Sequence, residues 1–191
     1  MRSRVCFFTT LLLGCAAPSF AADTLRFGPA AGWVQPLTVP NPLVVNQDAP
    51  FVIVLLDSQV RFEPGRITAY AERVIRFQQP AGLQAGTLAI QWSPELDDVT
   101  VNNVSIERGG KVIDVLKSGQ TFQVLRREQN LDQAVLDGTL TAVLQPEGLQ
   151  VGDTLRIATS TTRRDPVLGE HAELMAGVPV PRQHLIDRLA A

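Results

Sequence analysis

The chain has 191 residues, with 17 basic and 19 acidic side chains, two histidines, two cysteines and 45% hydrophobic residues. That length and apolar share suit one domain with its own core, and the slightly acidic balance argues against nucleic acid or an anionic membrane as partner, since both need a clustered positive face. Both cysteines, Cys6 and Cys15, fall near the N-terminus, so the body of the chain has no disulfide, no thiol nucleophile and no cysteine metal ligand.

Residues 1–21 read as a secretory signal peptide. Arg2 and Arg4 form its positive region, Val5 to Gly14 its apolar stretch, and Ser19 and Ala21 place small residues where a signal peptidase needs them. Cleavage is expected after Ala21, with Ala22 as the next choice. Leu12-Leu13-Gly14-Cys15 offers a competing lipobox reading with a lipid anchor on Cys15. The second Leu fits that motif poorly and a good cleavage site follows, so cleavage is preferred. The apolar run is shorter than the ~20 residues a membrane span needs. Removing a signal with two arginines and no acid leaves 15 basic against 19 acidic residues, a net charge of −4.

Residues 22–50 are interrupted by Pro29, Pro36, Pro40, Pro42 and Pro50, which exclude regular elements and predict an extended arm. Trp33 with Val34, and Leu43-Val44-Val45, are expected to dock it, with the Trp33 indole filling a groove. The body, residues 51–165, reads as strand and turn in alternation. Phe51 to Leu56 is continuously apolar, Glu63-Pro64-Gly65-Arg66 turns the chain into Ile67 to Phe77, and Leu88, Ile90 and Trp92 alternate before Ser93-Pro94. Val99 and Val101 share one phase, whereas Val104 and Ile106 share the opposite one. An extra residue at Asn102-Asn103, a β-bulge, lets all four face one core.

Gly109-Gly110 makes a tight turn into Lys111 to Leu116. Strands at Phe122 with Val124, at Leu140, Ala142 and Leu144, and at Leu155 with Ile157 follow. Asn130 to Leu136 carries the signals of one or two helical turns. Residues 166–191 read as an irregular tail, the start of a linker or second domain, with helical character only over His184 to Ala191. Many short alternating strands predict an all-β fold, a two-sheet antiparallel β-sandwich with an extended N-terminal arm and at most one or two short helices.

Chemistry-bearing motifs are sparse. Cysteine-protease or transglutaminase chemistry needs a Cys activated by a His, and residues 22–191 contain no Cys. The histidines, His171 and His184, lie in the tail, and no Gly-x-Ser-x-Gly elbow is present. Glu170-His171-Ala172-Glu173 lacks the second His of a zinc helix. Glu95, Asp97 and Asp98 lack the pattern of a calcium loop and read as a solvated loop. Val112 stands where a phosphate loop beginning Gly109-Gly110-Lys111 would need Ser or Thr. Glu107, Glu128 and Asp137 read as hydrated charges at strand ends. No catalytic, cofactor or metal residue is therefore expected.

Taken in order, several segments resemble a known family: Gly28 to Val34, Leu55-Leu56-Asp57-Ser58-Gln59-Val60-Arg61, Val104 to Gly110, Arg126 to Leu131, Asp137-Gly138 and Gly152-Asp153. They are similar to the bacterial domain of unknown function 3857, the N-terminal β domain of exported transglutaminase-like proteins, over most of Trp33 to Pro166. Leu136 stands where that family usually has an aromatic. The resemblance implies a non-catalytic β-sandwich acting as a binding or scaffold domain, periplasmic or secreted, for a transglutaminase-like partner or a polypeptide. Its alternative is the front part of a transglutaminase-like cysteine enzyme whose catalytic domain lies outside this chain.

Overall fold

The computed structural model describes residues 24–39, 48–126, 138–167 and 185–190, the last by backbone alone. Its longest hairpin joins β2 (Phe51–Glu63) to β3 (Arg66–Phe77) through Pro64-Gly65, an order that suits a turn with positive φ at its second position. A second hairpin joins β5 (Asp97–Arg108) to β6 (Lys111–Asp114). There Gly109 and Gly110 have φ of 55° and 77°, values that a side chain on either residue would strain. The remaining described strands are β1 (Arg26–Phe27), β4 (Leu88–Trp92), β7 (Gln123–Arg126), β8 (Leu140–Leu144), β9 (Thr154–Arg163) and β10 (Leu185–Ala190).

These strands form two sheets. The larger runs β1-β5-β9-β3-β2-β10, with β6 also on β5, and the smaller runs β4-β8-β7. Pairing is antiparallel except for β1 on β5 and β10 on β2. The fold is an all-β sandwich. One face of the large sheet contributes Ile75, Phe77, Val99, Val101, Val104, Ile106 and Leu155 to the core. The small sheet answers with Leu88, Trp92, Leu140, Ala142 and Leu144. The register of β5 against β9 shifts between Val101 and Asn103, so Asn102 is the bulge residue. Val99, Val101, Val104 and Ile106 are all buried on the core side, as the change of phase requires.

A seven-residue 3₁₀ helix, Pro80–Gly86, leads from β3 into β4. It packs so closely on the start of β2 that a Cβ on Gly82 would run into the Pro50 carbonyl, whose carbon lies 2.6 Å away. That carbonyl accepts from Gln78 N at 2.9 Å and Gln79 N at 3.0 Å.

The tail departs from expectation, because Leu185–Ala190 is a strand, not a helix. Leu185, Ile186 and Leu189 allow either reading by period, and the free edge of β2 supplies backbone partners that a short helix would lack. Asp97 also departs. Its carboxylate is buried in β5, held by Arg163 at 2.7 and 2.9 Å and by Ser93 N at 3.0 Å. Asp98 bonds Arg164 at 2.6 Å and pairs with Arg26 at 3.0 Å. Asp97 and Asp98 thus form an ion-paired seam between β1, β5 and the end of β9 rather than a solvated loop, whereas Glu95 is exposed in the turn before β5.

Candidate functional site: an arm across a buried polar face

Antiparallel register builds the second face of the large sheet in rows. Leu55, Val74, Arg156 and Ser105 lie side by side. Next come Asp57, Glu72, Ala158 and Asn103, and then Gln59, Tyr70, Ser160 and Thr100. A face turned to water would leave such polar residues hydrated, yet Asp57 is 1% exposed, Gln59 2% and Glu72 3%. The N-terminal arm helps to cover them.

The arm starts at the far edge and crosses the sheet. Gly28 donates to Val101 O at 3.2 Å, and its carbonyl accepts from Asn102 Nδ2 at 3.2 Å. Asn102 is the bulge residue. The bulge therefore gives the arm an anchor, and Asn102 Oδ1 accepts from Ser160 Oγ at 2.8 Å. From β5 to β2 is three strand spacings, about 14 Å. A turn closed by Val34 N donating to Ala31 O at 3.0 Å takes up the slack. At β2, Gln35 N donates to Gln59 Oε1 at 2.9 Å, and Gln59 Nε2 donates to Gln35 O at 2.7 Å. Beyond it, Leu37 and Val39 pack on the buried cluster of Val54, Leu55 and Val74.

Under the arm, the polar groups form two hydrogen-bonded sets, one around Asp57 and one around Glu72. Gln59 Nε2 also donates to Asp57 Oδ2 at 2.7 Å, and Tyr70 OH donates to Glu72 Oε2 at 2.9 Å. Arg156 pairs with Glu72 Oε1. Asp57 and Glu72 face each other across β2 and β3, a pairing of like charge that is unfavourable without compensation. Arg156 supplies it diagonally, over the small Ala158. Asp57 Oδ1 is buried with no hydrogen bond among the described residues. Burial, and after it the Glu72 carboxylate, push the Tyr70 hydroxyl above its ordinary value, so it stays protonated and serves as a donor rather than a base or nucleophile. The arrangement can grip a backbone.

Sequence reasoning gave these residues no site role, although Asp57 and Gln59 lie in the Leu55 to Arg61 segment that carries the family resemblance. The available signal was the break in β2, where Leu55, Asp57 and Gln59 share one phase and apolar residues give way to polar ones within an otherwise hydrophobic run. Trp33 is half-buried in the turn of the arm and belongs to neither apolar cluster. Gly28, Gln35, Leu37 and Val39 make the contacts described above that hold the arm. Ala21, Ala22, Cys6, Cys15, Leu43 to Val45, Glu128, Asn130 to Asp137, Glu170 to Glu173 and His184 lie outside the described residues. Glu107 is exposed on β5, and Lys111 opens β6. Among the described residues no group of three or more His, Cys, Asp or Glu could hold a metal, and no helix is long and apolar enough to cross a membrane.

A second surface lies at the sheet edges. Phe27 of β1 meets Phe122 with ring centroids 6.5 Å apart. Val112 and Ile113 of β6 and Val124 and Leu125 of β7 are exposed.

Fold and site together define an all-β domain that carries an extended segment of its own chain across a buried polar face. The chain belongs to the family described as a domain of unknown function with solved structure, DUF3857, whose model matches residues 63–186. Tyr70, Glu72 and Arg156 fall inside that range, whereas the arm, Asp57 and Gln59 precede it. No curated protein matches the sequence. Among solved structures the chain is similar to a protein from Parabacteroides distasonis ATCC 8503 named as a candidate protease, with a TM-score of 0.53 and 11% identity. That likeness covers 60% of this chain and 23% of the other, so the chain spans about a quarter of that protein's length and the two share a fold.

Proposed function

We propose that this chain is an exported, non-catalytic binding or scaffold module that holds polypeptide, serving a transglutaminase-like partner domain or an extended polypeptide in the periplasm or outside the cell. The observation that carries this reading is the grip of Gln59 on both backbone groups of Gln35. It is a contact that depends on an extended backbone, as in strand-type peptide recognition. Export rests on the N-terminal pattern around Arg2, Arg4 and Ala21, and intact mass of the protein from its host checks it.

The functional test is a titration of the cleaved chain, beginning at Ala22, with a fluorescently labelled, permanently unfolded polypeptide and separately with a transglutaminase-like cysteine domain. Saturable binding of either without fragmentation of the polypeptide is expected. No binding of either, or turnover of the polypeptide, overturns the reading. A second reading draws on the Parabacteroides likeness, in which the shared fold is a minor part of a longer chain. There this domain would support the catalytic portion of a transglutaminase-like enzyme. An in-frame Cys-His-Asp domain in the native gene decides for it.

A further inference from the structure

We infer that the β2–β3 face is a receptor for an extended polypeptide segment with apolar side chains two residues apart, and that the arm is its internal, exchangeable occupant. This deepens the binding-module reading and rests on it. The Gln59 amide supplies a donor and an acceptor to one residue of the occupant, so it recognises any non-proline residue in extended conformation. Selectivity comes from the two positions beyond. Leu37 and Val39, two and four residues after Gln35, rest on Val54, Leu55 and Val74, and that spacing is the period of an extended chain. A sequence with a free N–H followed by apolar residues at the second and fourth positions meets both demands.

Residues 33–39 of the arm form no ladder with β2 or β3, so their release leaves the pairing of those strands intact. Being tethered, it competes at an effective concentration that short flexible connections bring to about the millimolar range. Weak outside ligands are thereby kept off. A stronger ligand has an advantage that the arm lacks. Among the described residues the Asp57 Oδ1 acceptor has no hydrogen bond under the arm, and an occupant that brings a donor there gains a charge-assisted hydrogen bond.

The experiment uses the cleaved full chain with Leu37→Asp and Val39→Asp together. These changes lie in the arm, leave the receptor untouched and set new negative charge near the buried Asp57 and Glu72. The probe is a labelled peptide of residues 32–39, followed by fluorescence anisotropy. It is expected to bind the double variant at least about tenfold more tightly than the parent, whose own arm competes. Adding Gln59→Ala is expected to weaken binding about tenfold, the effect of losing a pair of modest hydrogen bonds. Urea midpoints establish that each variant is folded, and Leu37→Ala with Val39→Ala carries the same comparison if the aspartates unfold the chain. Equal binding to parent and arm variant, no binding to the folded arm variant, or binding indifferent to Gln59→Ala overturns the inference. If only this inference fails, the unfolded polypeptide of the preceding test still binds, without regard to Gln59. If the binding-module reading fails, it does not bind at all.

Discussion

Replacing Gln59 by Ala separates the arm from the sandwich. The substitution removes two neutral hydrogen bonds to Gln35 and one to the Asp57 carboxylate. At about 1 kcal/mol for each neutral bond and 1.5–3 for the charged one, the loss is roughly 3–5 kcal/mol if the arm stays in place over unsatisfied groups. The arm has little to set against that. Its apolar contacts with the second cluster are those of Leu37 and Val39, about 1.5–3 kcal/mol each at full burial. Ordering the backbone opposes them by about 1–2 kcal/mol per residue. Lifting off restores water to Gln35 and Asp57, so local release is the cheaper response. In limited proteolysis with chymotrypsin under native conditions, cleavage at Trp33 or Leu37 should accelerate at least tenfold in Gln59→Ala, while the urea midpoint of the body falls much less than a loss of 3–5 kcal/mol requires. An arm as resistant as the parent's, accompanied by a large drop in the urea midpoint, would show that Gln59 supports the core and does not clamp the arm.

Other perturbations follow from the same geometry. Gly82→Ala drives a methyl into the Pro50 carbonyl and breaks its hydrogen bonds from Gln78 and Gln79. A cost of about 2–4 kcal/mol is expected in urea unfolding, and a change under 0.5 kcal/mol would contradict the close approach. Deleting Asn102 restores strict alternation from Val99 to Ile106, so the core should form while the bonds to Gly28 and Ser160 are lost. Near-native stability with a protease-sensitive arm is the expected result, and an unfolded product would refute the bulge as an anchor.

Asp153 is held below its usual range first by the hydrogen bond from Arg108, against the opposing effect of burial, and further by the amide of Gln150. A lowered folded value stabilises the protein above the unfolded carboxylate value of about 3.9, and that contribution is lost as pH falls through the folded value. Asp153→Asn should therefore flatten the dependence of stability on pH below about 4. A parent whose stability does not change there would contradict the ion pair.

Much of the body is legible from the sequence because each signal is local. Pro64-Gly65, Gly109-Gly110 and the phase change around Asn102 fix turns and register with neighbours a few residues away. The arm-covered face is not legible in the same way. Asp57, Glu72 and Arg156 meet only because β3 lies between β2 and β9, and Gln59 reaches Gln35 from 24 residues away. Read singly, such residues look like ordinary solvent-facing positions of half-buried strands. Trp33 is conspicuous by size, whereas the hydrogen bonds at Gly28 and Gln35 and the aliphatic side chains of Leu37 and Val39 leave little trace in composition. Asp97 misleads for a similar reason, since its partner Arg163 is 66 residues distant. The strand at Leu185–Ala190 depends on the edge of β2, which the tail's own period does not reveal.

The most direct measurement is hydrogen–deuterium exchange of the cleaved chain, alone and saturated with the unfolded polypeptide. If polypeptide enters by displacing the arm, residues 33–39 lose protection on saturation, while the β2–β3 ladder keeps or increases its own. If the arm stays protected while new protection appears only along β6 and β7, the polypeptide binds at the apolar sheet edges, and the arm-covered face is not the receptor.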